Sequence, residues 1–309
     1  MFDGTVQRER FAEALRVSYR LNSREYSMSY HTHEGYELVM VHKGQGTMFI
    51  DNQVYEIAHG NVFLIDAKTV HRSNAKPGID YDRTNLTFVP EYFRAVWGGE
   101  TTDRLLEAFR VAFRKKEYCF QLPAADWSYL DGLLRQLSEE RSDRLLAWPM
   151  QCFLLGQVLV YLNRYTSQTQ RGSPAKSIET LSAKVIAILD ADLRRPLSLD
   201  DVASRLYVSK HHLCRTFKKE TGFTVGEYVR AKRILKARVM LEVGDEPVSE
   251  IAFRLGFKTA SYFCQVFKRE TGLLPSEFRR TKQALGESVS GVKSDSSGPL
   301  CALPGLDPH

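Results

Sequence analysis

Two sets of residues in this 309-residue chain have the types and spacing to do chemistry. The first is His31-Thr-His33 with Glu37 four positions on and His71 further along. Alternate residues of an extended strand share a face, so His31, His33 and Glu37 point to one side. Three imidazoles and a carboxylate can hold a polar organic ligand, and they equally make a donor set for a divalent metal. The second set is largely cationic. Lys210, His211, Cys214, Arg215 and Lys218 recur at helical spacing, and Ser261, Cys264, Gln265 and Lys268 repeat the pattern fifty positions later. Such stripes suit a duplex groove. Arginine can give two donors to guanine O6/N7 and glutamine can pair with adenine N6/N7, each discriminating by about 1–3 kcal/mol.

The elements that must carry these groups follow from periodicity. From Tyr26 to about Val89 short alternating runs such as TMFIDNQVYEI and NVFLI are punctuated at Gly44, Gly46, Asp51-Asn52 and Gly60, which predicts a small β-barrel or sandwich. From Thr102 the period turns helical: Leu130, Leu133, Leu134 and Leu137, then Phe153, Leu154, Val158, Leu159 and Leu162. Polar TSQTQRGSPAKS, 166–177, reads as a linker, and the segment after Leu285 reads as a flexible tail.

An internal repeat organises the rest. FKKETGFTVGEYVR, 217–230, returns as FKRETGLLPSEFRR, 267–280. Upstream of each copy lie a short helix (Val202, Ala203, Leu206; Ile251, Ala252, Leu255), a turn and a second helix, which is a helix-turn-helix written twice. Ser209 is suited to cap the second helix of the first unit, with Leu213 and Phe217 facing its core. In the second unit the helix begins at Thr259 or Ala260, and Phe263 and Phe267 turn inward. Between the units Tyr228, Ala231, Leu235 and Val239 mark one apolar side of a connecting helix. At 1.5 Å per residue it spans ~25 Å, enough to set two recognition helices about one DNA turn apart.

Residues 177–281 closely resemble the DNA-binding domain of the AraC/XylS family of transcription regulators. The resemblance implies base contacts from His211, Cys214, Arg215, Ala260, Ser261, Cys264 and Gln265. Lys210, Lys218, Lys219, Lys268 and Arg269 are expected on phosphates, which give salt-sensitive affinity without sequence choice. His31, His33, Glu37 and Gly44 resemble a first cupin motif, and Gly60 with His71 a second, although Asp66 and Lys68 stand where Pro and Gly are usual. Sensor barrels of the family resemble this pattern while holding an organic effector. An interior of His31, His33, Tyr36, Glu37, Phe49, Phe63 and His71 suits a polar ligand with an apolar face, such as a sugar.

The expected fold is thus α+β and multidomain: a cupin-like barrel at 1–100, a helical and dimerising region at 101–165, a linker at 166–177, a double helix-turn-helix at 178–281 and a tail at 282–309. The expected function is effector-controlled, sequence-specific regulation of transcription, without enzymatic activity and without a cofactor. Expected partners are double-stranded DNA, a small-molecule effector, RNA polymerase if the protein activates, and a second copy of the chain. Two alternatives stay open: a metal-dependent cupin enzyme holding its ion at His31, His33, Glu37 and His71 with a DNA-targeting module, and a constitutive regulator whose barrel is a scaffold.

Charge and composition agree. Positions 177–281 hold 19 Lys/Arg against 13 Asp/Glu, which matches the net +6 of the whole chain. Five scattered cysteines without a C-x-x-C pair argue against a disulfide framework or zinc knuckle and suit a reducing cytoplasm. Charged MFDGTVQRER is unlike a signal peptide, and no apolar run is long enough to span a bilayer.

Overall fold

The computed structural model describes residues 7–9, 14–24, 31–33, 35–51, 53–67, 69–141, 143–168, 179–191, 193–194, 198–221 and 223–281. Most of the expected linker and the whole of the expected tail lie outside them. Two compact units emerge, Met1–Arg233 and Ile234–His309.

Among the described residues the first unit holds ten strands in two five-stranded sheets. One sheet has the order β1 (Gln7–Glu9), β3 (His31–His33), β8 (His71–Ala75), β5 (Gly46–Ile50), β6 (Gln53–Glu56). The other runs β10 (Cys119–Gln121), β7 (Asn61–Ile65), β4 (Tyr36–Lys43), β9 (Tyr81–Phe88), β2 (Leu15–Ser23). The second sheet turns an apolar face away from the cavity and toward the helices, with Leu38, Met40, Val62, Leu64 and Leu86 at 1% exposure or less. Strand β10 is a departure from the sequence reading, which had only helices after Thr102. Its three residues complete the sheet by pairing with β7, Cys119 opposite Phe63, a long-range pairing that local periodicity does not encode.

Helices α1 (Arg94–Trp97), α2 (Gly99–Leu105) and α3 (Glu107–Lys115) precede β10, and α4 (Ala124–Glu139) and α5 (Ala147–Gln168) follow it. The leucines of α4 and α5 are spent on the barrel: Leu130, Leu134, Leu155, Val158 and Leu162 join the same core as the sheet residues. Outside that core α5 keeps an exposed apolar stripe of Met150, Phe153 and Val160. None of the described helices is long and apolar enough to cross a membrane.

Next come α6 (Leu181–Ala191), α7 (Leu199–Arg205), α8 (Lys210–Thr221) and α9 (Val225–Val243). Each start is chemically marked. Ser198 Oγ accepts from Asp201 N at 3.2 Å and Ser209 Oγ from His212 N at 3.2 Å. Thr224 and Glu227 form a capping box, Glu227 Oε2 accepting from Thr224 N at 2.7 Å. The buried side of α9 differs from the expected one. Tyr228, Ala231, Ile234, Ala237 and Leu241 are buried, whereas Val239 is 42% exposed. A long helix turns by less than four residues per repeat, so a stripe read at strict four-residue steps drifts off the buried face.

The second unit holds α10 (Val248–Arg254) and α11 (Ala260–Thr271) around Ile251, Ala252, Phe263, Val266, Phe267 and Phe278. Thr259 Oγ1 caps α11 by accepting from Tyr262 N at 3.2 Å. The duplication extends to single atoms. Thr221 Oγ1 donates to Phe217 O at 2.6 Å, and Thr271 Oγ1 to Phe267 O at 2.8 Å.

Candidate effector cavity and nucleic-acid interface

A cavity of about 300 Å³ opens between the two sheets of the barrel. His31, His33, Glu37 and His71 all border it and are at most 6% exposed. Strand pairing brings them together: His31 stands opposite His71 in the β3–β8 ladder, with ring centroids 4.1 Å apart. Glu37 crosses from the other sheet. Its Oε2 lies 2.9 Å from His71 Nε2 and 3.2 Å from His33 Nε2, while Oε1 accepts from Asn85 Nδ2 at 3.0 Å. Burial alone would push the Glu37 carboxyl up, but the His33 and His71 rings outweigh it and hold the group well below the usual carboxylate range.

Three other residues expected here lie elsewhere. Tyr36 and Phe49 neighbour cavity-facing Glu37 and Met48, so the pleat turns them to the opposite faces of β4 and β5. Tyr36 stacks on Phe88 at 5.7 Å, and Phe49 pairs with Arg72 on the far side of its sheet. Phe63 packs edge-on against Tyr55 at 5.9 Å and does not border the cavity. The sequence reading missed Arg16, Ser18, Arg83 and Asn85, which β2 and β9 supply. Their signal was available in β9, where Arg83, Asn85 and Thr87 alternate. Arg83 is 2% exposed, and its guanidinium lies 4.6 Å from the centre of the Tyr81 ring.

On β8 the same alternation links two surfaces. His71 and Ser73 face the cavity, and Arg72 and Asn74 face the first helix-turn-helix. Arg72 Nη1 donates to Thr221 O and Asn74 Nδ2 to Glu220 O, the latter at 3.1 Å. These are the last carbonyls of α8, where the helix carries partial negative charge, so a guanidinium there acts as a cationic cap. Arg72 is 4% exposed and also lies over the Phe223 ring at 5.3 Å. Nearby, Lys232 of α9 pairs with Asp51 at 2.8 Å and Asp190 at 3.4 Å.

Burial would raise the Asp51 carboxyl, but Lys232 and Lys116 outweigh it and hold it below the ordinary value. A depressed folded-state value means that Asp51 stabilises fully above the unfolded value of about 3.9, and that this contribution fades as pH falls through the folded value. Asp51→Asn is therefore expected to cost about 1–2 kcal/mol at neutral pH, with the gap to wild type closing in thermal melts as pH falls below the unfolded value.

Most residues of the two candidate groove-facing stripes lie at the surface. On α8, Lys210, His211, Arg215, Lys218 and Lys219 are exposed and Cys214 is half-buried, above Leu213 and Phe217 at 0% exposure. On α11, Ser261, Gln265, Lys268 and Arg269 are exposed and Ala260 and Cys264 half-buried, above Phe263 and Phe267 at 0%. Lys210 already pairs with Asp200 at 2.9 Å, and Arg269 with Glu270 at 2.9 Å. Lys218→Ala is expected to weaken binding to all DNA sequences alike and to lower the slope of log affinity against log salt by about one. Binding isotherms at several salt concentrations check this.

Residues 17–147 match the family model of the AraC-like ligand binding domain, and 202–281 match that of a helix-turn-helix domain. The HTH-type transcriptional activator RhaR of Salmonella schwarzengrund is 32% identical over 234 residues, 75% of this chain and 80% of that protein. RhaR of Shigella dysenteriae serotype 1 is 31% identical over 236 residues, with the same coverage of each chain. Among solved structures, the C-terminal domain of AraT, a response regulator from Geobacillus stearothermophilus, is 30% identical over 34% of this chain and 88% of that one, with a TM-score of 0.33.

Proposed function

The chain belongs to the AraC family of transcription regulators, with a ligand-binding domain ahead of a helix-turn-helix DNA-binding domain, and from this premise we propose that it is a cytoplasmic activator switched by a carbohydrate-like effector. The effector occupies the barrel cavity. Ser18, Ser73, Asn85 and Thr87 offer hydrogen bonds to hydroxyl groups, and Leu21, Val39 and Met48 supply an apolar wall, a combination that suits a polyhydroxylated ring with one apolar face.

One observation carries the proposal: β8 presents His71 and Ser73 to the cavity and Arg72 and Asn74 to the end of α8. A ligand that moves β8 by contact with His71 changes the fit of Arg72 against Thr221, and thereby the arrangement of the first DNA-reading helix. Such a ligand switches the protein only by binding two arrangements unequally. His211, Cys214 and Arg215, with Ala260, Ser261, Cys264 and Gln265, read base edges, and Lys210, Lys218, Lys219, Lys268 and Arg269 meet phosphates. The exposed Met150, Phe153 and Val160 stripe of α5 supports pairing with a second copy.

The experiment is a titration of operator DNA with the full chain in the presence of monosaccharides and sugar acids, one at a time. At least one is expected to change the apparent affinity by the 5–150-fold typical of allosteric coupling, about 1–3 kcal/mol. Calorimetric binding of none of them would leave the barrel as a scaffold.

A further inference from the structure

Strand register gives the barrel cavity a direction. On the second sheet the residues that border it fall into rows that cross β4, β9 and β2. Glu37, Thr87 and Arg16 form the first row, and Val39, Asn85 and Ser18 the next. Arg83 and Leu21 stand in the third, level with Val41 of β4. Glu37 and Val41 are four residues apart, so the carboxylate and the Arg83 guanidinium spring from backbone about 13 Å apart along the strands. The facing sheet keeps the same order. His33 and His71 meet Glu37, whereas Ser73 Oγ lies 3.5 Å from the hydroxyl of Tyr81, the ring that Arg83 covers.

The two ends carry opposite charge. At the first, Glu37 Oε2 is met by His33 and His71 and Oε1 by Asn85. A second anion brought there would face a like charge inside the barrel, where solvent and salt screen least. At the other end Arg83 is 2% exposed, and a guanidinium keeps its charge when buried. The Tyr81 ring at 4.6 Å and the Leu21 and Tyr81 carbonyls at 3.4 and 3.5 Å orient it without adding net charge. Its chain neighbour Asp82 pairs with Arg20 at 2.7 Å, since the pleat turns it to the opposite face of β9. Exposed Arg16 adds a second cation on edge strand β2, with β9 between it and Glu37. Among the described residues that border the cavity, two guanidiniums thus stand against one carboxylate.

We infer that the effector is a sugar acid, a polyhydroxylated molecule with one carboxylate, held with that carboxylate at Arg83 and its hydroxyls toward Glu37 and the histidines. The inference rests on the reading of the cavity as an effector site and names the chemical class that fits it. Ionised Glu37 accepts hydrogen bonds and gives none, so it selects hydroxyl donors at its end. The Arg83 fork gives paired hydrogen bonds to a carboxylate. Between them Ser18 and Asn85 serve further hydroxyls while Val39 covers an apolar face. One carboxylate balances the single positive charge in excess, and a phosphate monoester, at about −1.5 to −2, overshoots it.

The test is calorimetric titration of the full-length protein with galactose, galacturonate and galacturonamide, with glucose, glucuronate and glucuronamide, and with the 6-phosphates of both sugars. At least one acid is expected to bind about tenfold or more tighter than its neutral sugar, its amide and the sugar phosphate, the worth of one charge-assisted hydrogen bond. Arg83→Gln, folded by far-UV circular dichroism, is expected to erase that preference by weakening the acid and not the neutral sugar. Where Arg83→Gln does not fold, the amide decides on the wild-type protein, because it keeps the shape of the acid and removes its charge. A neutral sugar, amide or phosphate bound as tightly as the acid, or a folded Arg83→Gln protein that keeps the preference, would overturn the inference and leave the effector reading standing. Binding of none of these compounds would overturn both.

Discussion

Arg215→Ala is expected to relax base preference at one operator position and to weaken the preferred site by about 1–3 kcal/mol, roughly 5- to 150-fold in affinity. Its position on α8 sets this size. Leu213 and Phe217, both fully buried, fix the roll of the helix and turn Arg215 outward with His211 and Lys218. Among the described residues no carboxylate is paired with Arg215, in contrast to Lys210 with Asp200. Its rigid fork of donors is thus available for a guanine edge, and an alanine methyl replaces neither donor. Competition binding against operators altered one base pair at a time is the measurement. Loss concentrated at one position is the expected pattern, and equal loss at every site would make Arg215 a phosphate contact.

Arg72→Ala is expected to uncouple the cavity from the DNA-reading helix. The substitution removes a charged donor from the α8 terminus and a cation from above Phe223, at a site that is 4% exposed. Hydrogen bonds made by charged groups contribute about 1.5–3 kcal/mol, the same size as a typical allosteric coupling. The ratio of operator affinities with and without the sugar that a binding panel selects should therefore fall toward one. Effector affinity measured by calorimetry should change little, because Arg72 points away from the cavity. A ratio equal to that of wild type would place the coupling outside β8.

Much of this was legible in residue order because the informative signals were local. The duplicated FKKETG and FKRETG blocks, the capping Ser209 and Thr259, and the inward Leu213, Phe217, Phe263 and Phe267 are fixed by helix geometry within one or two turns. The histidine pair was legible for a similar reason, since strand parity puts His31 and His33 on one face of β3, whereas Glu37 meets them from β4 of the opposing sheet, which parity along a single strand does not foresee. Parity also contained the answer for Tyr36, which adjoins Glu37 on β4 and so must face away from the cavity. Aromatic character drew it into the expected lining, although a barrel has two apolar faces to fill once helices pack outside. The alternation of Arg83, Asn85 and Thr87 was visible in sequence, but that their shared face lines the cavity depends on β9 pairing with β2 and β4 across long stretches of chain. The role of Arg72 depends on which helix end meets the outer face of β8, a contact 149 residues apart in sequence.

The central claim is that two duplicated helix faces read double-stranded DNA under control of the barrel. Selection of bound fragments from random duplex DNA by the full-length protein tests it most directly, scored as affinity for the selected site relative to bulk competitor. The account predicts a selected sequence with two separated elements, bound at least ~10³-fold more tightly than competitor, with preference relaxed at one position of one element by Arg215→Ala and at one position of the other by Gln265→Ala. Recovery of fragments with no shared sequence, bound no better than competitor, would contradict it.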